Sequence, residues 1–295
     1  MRHTLTVALL VIAATTAFAG SHRHMNCGIC VAPIVDDVTD CSDLRVILND
    51  HDAVRAEEMV AVGDARTLTI RAPEAGGIYV RSGDAPRFSV KVCKAVELDE
   101  SVSSIQVRRD GDRLSATGPS SSNWIIYFLV EMPRGARGDF GTSNGPVSVQ
   151  GVDGTIYAHA ENGPVSAKDT TGSIRLTADN GPVAFSGSSG DVVMRTNNGP
   201  IAVDLRNSFW EHGTLDARTD NGPLALKLPR NYRSGVSVDT DGNSPVTCRA
   251  EDCRRGTRVR YGDNDNGWPS HIDLGSGAVS VSLTTHNGPV AISER

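Results

Sequence analysis

Three features of the 295-residue chain predict an all-β fold: a right-handed parallel β-solenoid of about 18–23 residues per coil behind an N-terminal β-rich cap. The tripeptide Asn-Gly-Pro begins at Asn144, Asn162, Asn180, Asn198 and Asn221 and returns at Asn287, with the first three intervals equal at 18 residues and the fourth 23. A fixed period of that size marks a repeat architecture. Within each unit apolar and polar residues alternate, the signature of strands with one buried face. Aromatic residues are only 5% of the chain, which suits small side chains stacked in columns better than a globular core.

The strand after each proline is expected to point inward at Val147 and Val149, Val165 and Ala167, Val183 and Phe185, Ile201 and Val203, and Leu224 and Leu226. A second strand follows a glycine, with Ile156 and Ala158, Ile174 and Leu176, Val192 and Met194, Leu215 and Ala217, and Val236 and Val238 inward. Asn-Gly is ordinarily a hairpin signal. The proline opposes that reading, because the residue after glycine must donate across a two-residue turn, and Pro164 has no N–H to give Glu161. A corner between parallel strands suits the same residues, with Asn and Gly expected to supply left-handed backbone angles. The usual chirality of parallel crossovers sets the expected hand.

Before the repeats, residues 1–19 read as a signal peptide, with Arg2, an apolar run and Ala17-Phe18-Ala19 as a cleavage site. Residues 20–40 read as a flexible leader, 41–135 as the β cap and 136–295 as the solenoid. Within the cap, strands are expected at 44–48, 54–62, 67–72, 78–81, 88–93, 105–109, 113–117 and 124–132, with a turn or two of helix only at 96–103. Residues 207–210 read as an expanded loop, and Asn243-Ser244-Pro245 as a degenerate copy of the corner. Read in chain order, the last coil ends the stack without a cap, so its edge strand is expected to offer a homodimer contact.

Export makes the mature net charge more negative, from −6 to −7, by loss of Arg2, which disfavours nucleic acid as a partner. No later stretch is long and apolar enough for a transmembrane segment. An even number of cysteines in an exported chain favours disulfides. The candidates are Cys41 with Cys93, Cys248 with Cys253, and Cys27 with Cys30, although sequence alone leaves the connectivity open. Cys27-Gly28-Ile29-Cys30 also admits a redox pair or, with His22 and His24, a metal site, but the βαβ pattern of a thioredoxin-type motif is missing.

Leu68-Thr69-Ile70, Gly76-Gly77-Ile78-Tyr79-Val80, the run from Phe88 to Cys93, the run from Trp124 to Pro133 and the Asn-Gly-Pro repeats together resemble the bacterial putative-adhesin family, a β-solenoid domain of unknown function. Ser234-Gly235-Val236, Ser244-Pro245-Val246 and Cys248-Arg249-Ala250 resemble the distal pattern of one branch, and the resemblance covers about residues 41–292. It implies an exported, non-catalytic, surface-associated or periplasmic role, and the chain is accordingly read as a binding or structural element of the cell envelope, periplasmic, secreted or on the cell surface, with an envelope component, polysaccharide or protein as partner. It supplies no catalytic residues.

Candidate surfaces follow from strand alternation. Ser148, Ser166, Ala184, Ala202, Ala225, Thr247 and Ala291 form a flat small-residue strip, a docking face or simply a column that tolerates tight coiling. Glu161, Asp179, Asn197 and Asp220, with Asp241 nearby, line one edge of the corners, where calcium is a possible cofactor and solvated carboxylates the plainer reading. Phe209, Trp210, Glu211 and His212 mark a possible ligand-binding loop, whose Trp can stack on a sugar or staple the loop to the rod. Arg249, Arg254, Arg255, Arg258 and Arg260, followed by Asp263 and Asp265, form a charged distal segment, either balanced or an anion patch. The rival function is a polysaccharide-cleaving parallel β-helix enzyme, for which Tyr157, His159, Arg175, Arg195, Asp216 and Arg218 would line a cleft. The uniform repeat argues against catalysis.

Overall fold

The computed structural model describes residues 28–35, 37–73, 75–120, 123–240, 244–253, 258–261 and 267–295. The chain is all-β, with an 11-stranded and a 12-stranded sheet, a small three-stranded sheet, and helix among the described residues only as short 3-10 turns such as Val102–Ser104. Each repeat contributes one strand to each large sheet. Val147–Gln150, Val165–Lys168, Val183–Gly187, Ile201–Leu205 and Leu224–Leu228 pair in parallel in one. Asp153–Ala160, Thr171–Ala178, Asp191–Thr196 and Leu215–Asn221 do so in the other. All the inward positions expected from the repeat are buried in one continuous core. No residue of these columns is larger than Phe185.

Asn-Gly-Pro makes corners between parallel strands. Asn162, Asn180, Asn198, Asn221 and Asn287 each donate from Nδ2 to the Oδ1 of the asparagine one level below, at 3.0–3.1 Å. The residue after proline donates its N–H to the next level's proline carbonyl, as Val147 does to Pro164 at 2.9 Å. The expected left-handed angles are absent: none of these corner asparagines or glycines has a positive φ. Glycine is required there by close approach. A Cβ on Gly163, Gly181 or Gly199 would lie 2.0–2.2 Å from the carbonyl oxygen of the glycine below.

The order of levels differs from the order of the chain at both ends. Thr67–Ala72 and Gly77–Ser82 stack directly beneath Arg137–Thr142 and Val147–Gln150, so the parallel ladders run on into the N-terminal half. Arg113–Thr117 and Trp124–Met132 then lie on the far side of that level. At the other end, Val279–Asn287 and Val290–Glu294 insert between Leu215–Leu228 and the earlier segments Gly235–Thr240 and Val246–Cys248. The expected free edge on the last coil is therefore corrected, and with it the homodimer contact: both its strands are internal. The physical reason lies in the corner. Gly288 stacks where a Cβ would meet the Gly222 carbonyl oxygen at 2.0 Å; Ser244 of the degenerate copy could not occupy that place.

Ile29–Pro33, Leu44–Leu48 and His51–Asp52 form the three-stranded sheet. Part of the expected leader is thus a strand, antiparallel to Leu44–Leu48. This sheet covers the outer face of Ser89–Val96 and Trp124–Met132 and builds a second core from Leu44, Val46, Leu48, Ile125, Tyr127 and Leu129. The Cys41–Cys93 disulfide, with Cα atoms 5.4 Å apart, ties the two layers together. Cys248 and Cys253 are also bonded. Cys30 is disulfide-bonded, while Cys27, His22 and His24 lie outside the described residues, as does the expected signal peptide. No helix among the described residues is long and apolar enough to cross a membrane.

Candidate functional site

Because a strand turns successive side chains to opposite faces, the outer face of the 12-stranded sheet carries two mostly polar columns. The first runs Thr69, Asp139, Tyr157, Arg175, Val193, Asp216 and Ser282. The second runs Arg71, Gly141, His159, Thr177, Arg195, Arg218 and Thr284. The six residues expected to share this face do so, divided between the columns. Arg71 and Asp139, which spacing did not reveal, join them through a 2.9 Å ion pair; they are 68 residues apart, and only the register brings them together.

Contacts along the face are mostly lateral. Arg195 pairs with Asp216, and His159 Nδ1 lies 3.0 Å from Thr177 Oγ1. The Arg137 guanidinium stands over the Tyr157 ring, 4.7 Å from its centroid. Asp220 faces His286 at 3.0 Å and Arg218 at 3.4 Å. Those contacts, His286 first and then Arg218, hold its carboxyl below the usual carboxylate range. Farther out, His271 places Nδ1 2.5 Å from Asp239 and Nε2 2.9 Å from Asp273. Both imidazole nitrogens are engaged by carboxylates, so this His–Asp cluster leaves no nitrogen to activate a neighbouring hydroxyl.

The other sequence candidates divide sharply. In the loop at 206–214, Trp210 is 6% exposed and packs on Phe185, ring centroids 5.9 Å apart. It staples the loop to the core, and the sugar-stacking alternative for this side chain is corrected: its faces are covered. Phe209 is the exposed aromatic, with Arg233 5.3 Å from its ring centroid. Glu211 accepts from Asn207 at 2.5 Å, and His212 is exposed. These four neighbours therefore do not converge on one site.

The small-residue strip is present on the outer face of the 11-stranded sheet, its order ending Ala225, Ala291, Thr247. The three-stranded sheet covers Tyr127 and Leu129 at one end of that face and not the strip. Burial raises the Tyr79 hydroxyl there to about 12. Among the described residues no group of three or more His, Cys, Asp or Glu side chains is placed to hold a metal ion; Asp241 lies outside them. In the distal segment Arg258 and Arg260 sit opposite Asp273 and His271, while Arg254, Arg255, Asp263 and Asp265 lie outside the described residues.

A wide cleft of about 790 Å³ opens near the first corner, lined by Pro73, Gly76, Thr117, Trp124 and Ile126. Glu97 sits at its edge and accepts from Asn49 at 2.5 Å and Asn123 at 2.7 Å. Periodicity gave no sign of it, because it forms where the stacking order departs from chain order.

No protein-family model and no curated protein matches the chain. Solved structures are similar to it at low identity. A putative cell adhesion protein from Clostridium sporogenes ATCC 15579 is 11% identical, covering 83% of this chain and 100% of its own, with a TM-score of 0.34. A putative adhesin from Bacteroides fragilis NCTC 9343 is 12% identical over 82% of this chain and 97% of its own, with a TM-score of 0.40. A putative lipid binding protein from Parabacteroides distasonis ATCC 8503 is 10% identical over 82% and 96%, with a TM-score of 0.24.

Proposed function

We propose that the chain is an exported, right-handed β-solenoid that serves as a non-catalytic, adhesin-like binding or structural protein of the cell envelope. One observation carries the binding reading: the outer face of the 12-stranded sheet holds polar side chains in register over successive strands. A rigid ladder of this kind presents an extended partner with many weak, repeated contacts and no convergent reaction centre. The disulfides favour an oxidising compartment, and the signal-like residues 1–19 favour export.

The test is co-sedimentation of the purified mature protein with envelope fractions and insoluble polysaccharides, with and without calcium, while the supernatant is assayed for released sugars. Pelleting without product is the expected result. Released fragments would replace binding with cleavage, and no pelleting with any envelope material would refute the binding role.

A further inference from the structure

We propose that the outer face around Tyr157 binds an extended acidic polysaccharide, with Arg137 and Arg175 as the two carboxylate contacts. The proposal rests on the binding reading above and names its ligand class.

The charge pattern on this face is selective. Arg71, Arg195 and Arg218 are each held by an aspartate, namely Asp139, Asp216 and Asp220. Arg137 and Arg175 are exposed and have no ion-pair partner among the described residues. They flank one aromatic side chain: Arg137 stands over the Tyr157 ring at 4.7 Å, and Arg175 is the register partner of Tyr157 on the next strand. In a chain of net charge −6, two uncompensated guanidiniums on either side of one tyrosine are a local positive field, and a guanidinium fork matches a carboxylate in both shape and charge. The cation–π contact holds Arg137 in place, which reduces the ordering needed on binding.

Shape favours a polymer over a small anion. The columns run across strands spaced about 4.8 Å apart, and the His159–Thr177 pair on the adjoining column supplies hydrogen-bonding groups for hydroxyls. The occupant that fits is a flat, hydroxyl-rich chain with carboxylates.

The full mature chain is sedimented with insoluble polygalacturonate, with cellulose and chitin as neutral polymers, across a salt series. Arg137→Gln/Arg175→Gln is compared with Lys168→Gln/Lys227→Gln, which removes two exposed positive charges from the opposite sheet, and thermal melting checks the fold of both. Wild type and the lysine variant are expected to bind polygalacturonate in a salt-sensitive way, and the arginine variant about tenfold or more weaker. Equal binding by wild type and the arginine variant, or equal loss in both variants, would overturn the assignment. Pelleting of wild type with neutral polymers or envelope protein alone would overturn the ligand class yet keep the binding role; pelleting with nothing would remove both.

Discussion

Replacing Gly181 by alanine tests the corner more directly than any other single change. Gly181 has no positive φ, so an alanine there meets no backbone strain of its own. The added Cβ would instead sit 2.2 Å from the Gly163 carbonyl oxygen and 2.8 Å from its carbon, both backbone atoms with parallel strands on either side. Neither neighbour is the far end of a flexible side chain, so two levels must separate locally. Overpacking of this kind costs about 1–3 kcal/mol, and a backbone obstacle within a paired stack belongs at the upper end, about 3 kcal/mol. At about 2 °C per kcal/mol for a chain of this length, Tm should fall by about 6 °C in circular dichroism melting. Gly111→Ala is the control: φ is +60° and nothing lies within 4 Å of its Cβ, so only the left-handed angle matters, about 1 kcal/mol. Gly181→Ala melting within about 1 °C of wild type would refute the close-approach account of the tripeptide.

Asn180→Ala removes one amide that donates to Asn162 and accepts from Asn198, both at 3.0 Å; the groups left behind are exposed and water replaces part of the loss, so melting should show about 1–2 kcal/mol. Serine replacement of Cys41 and Cys93, which closes a 52-residue separation, should destabilise by about 4 kcal/mol against about 2 kcal/mol for Cys248 and Cys253 at a separation of 5, measured by denaturant unfolding. The Asp40 carboxyl is held at about 2 by Lys91 first and then the Ser42 N–H. A depressed carboxylate adds stability above its unfolded pKa that is lost as pH falls, so this contribution should fade from about pH 4 to about pH 2. In an acid titration of unfolding, Lys91→Met should remove the largest single part of that dependence, the Ser42 bonds keeping the rest.

Most of the repetitive part was legible because its physics is local. Period-2 alternation decides which side chains are buried, and Pro164 excludes a hairpin by having no N–H. What alternation cannot supply is a partner. Thr142, Thr196, Thr219 and Thr285 fall on inward positions, and their hydroxyls donate to corner glycine carbonyls at 2.6–3.2 Å; the sequence offers the threonines but not the carbonyls that satisfy them. The surface shows the same limit. Tyr157, His159, Arg175 and Arg195 could be assigned to one face by counting, whereas Arg71 and Asp139 join it only because Thr67–Ala72, without any Asn-Gly-Pro, stacks as a level of the same sheet. Trp210 was ambiguous for another reason: a loop tryptophan looks identical in sequence whether its ring points to Phe185 or to solvent.

The inserted C-terminal coil shows why a repeat predicts neighbours better than it predicts their order. Any copy can stack on any other whose corner admits it, and the steric test of a corner is its glycine. Level by level, the carbonyl of one glycine fills the space a Cβ would need in the next, from Gly76 beneath Gly145 to Gly222 beneath Gly288. Ser244 fails that condition, so it lies outside the later coil, and its Oγ accepts from the Gly288 N–H at 3.3 Å. The displaced segment then does what a true repeat cannot. Val246–Cys248 ends the 11-stranded sheet, and in the 12-stranded sheet Pro269–Leu274 lies antiparallel to Gly235–Thr240, with the preceding Arg258–Tyr261 outside it at the edge. That outer strand is exposed and carries two arginines, a charged edge of the kind that discourages further strand addition. The departure from the tripeptide at Ser244 is thus the point at which the stack stops admitting copies of itself and begins to close.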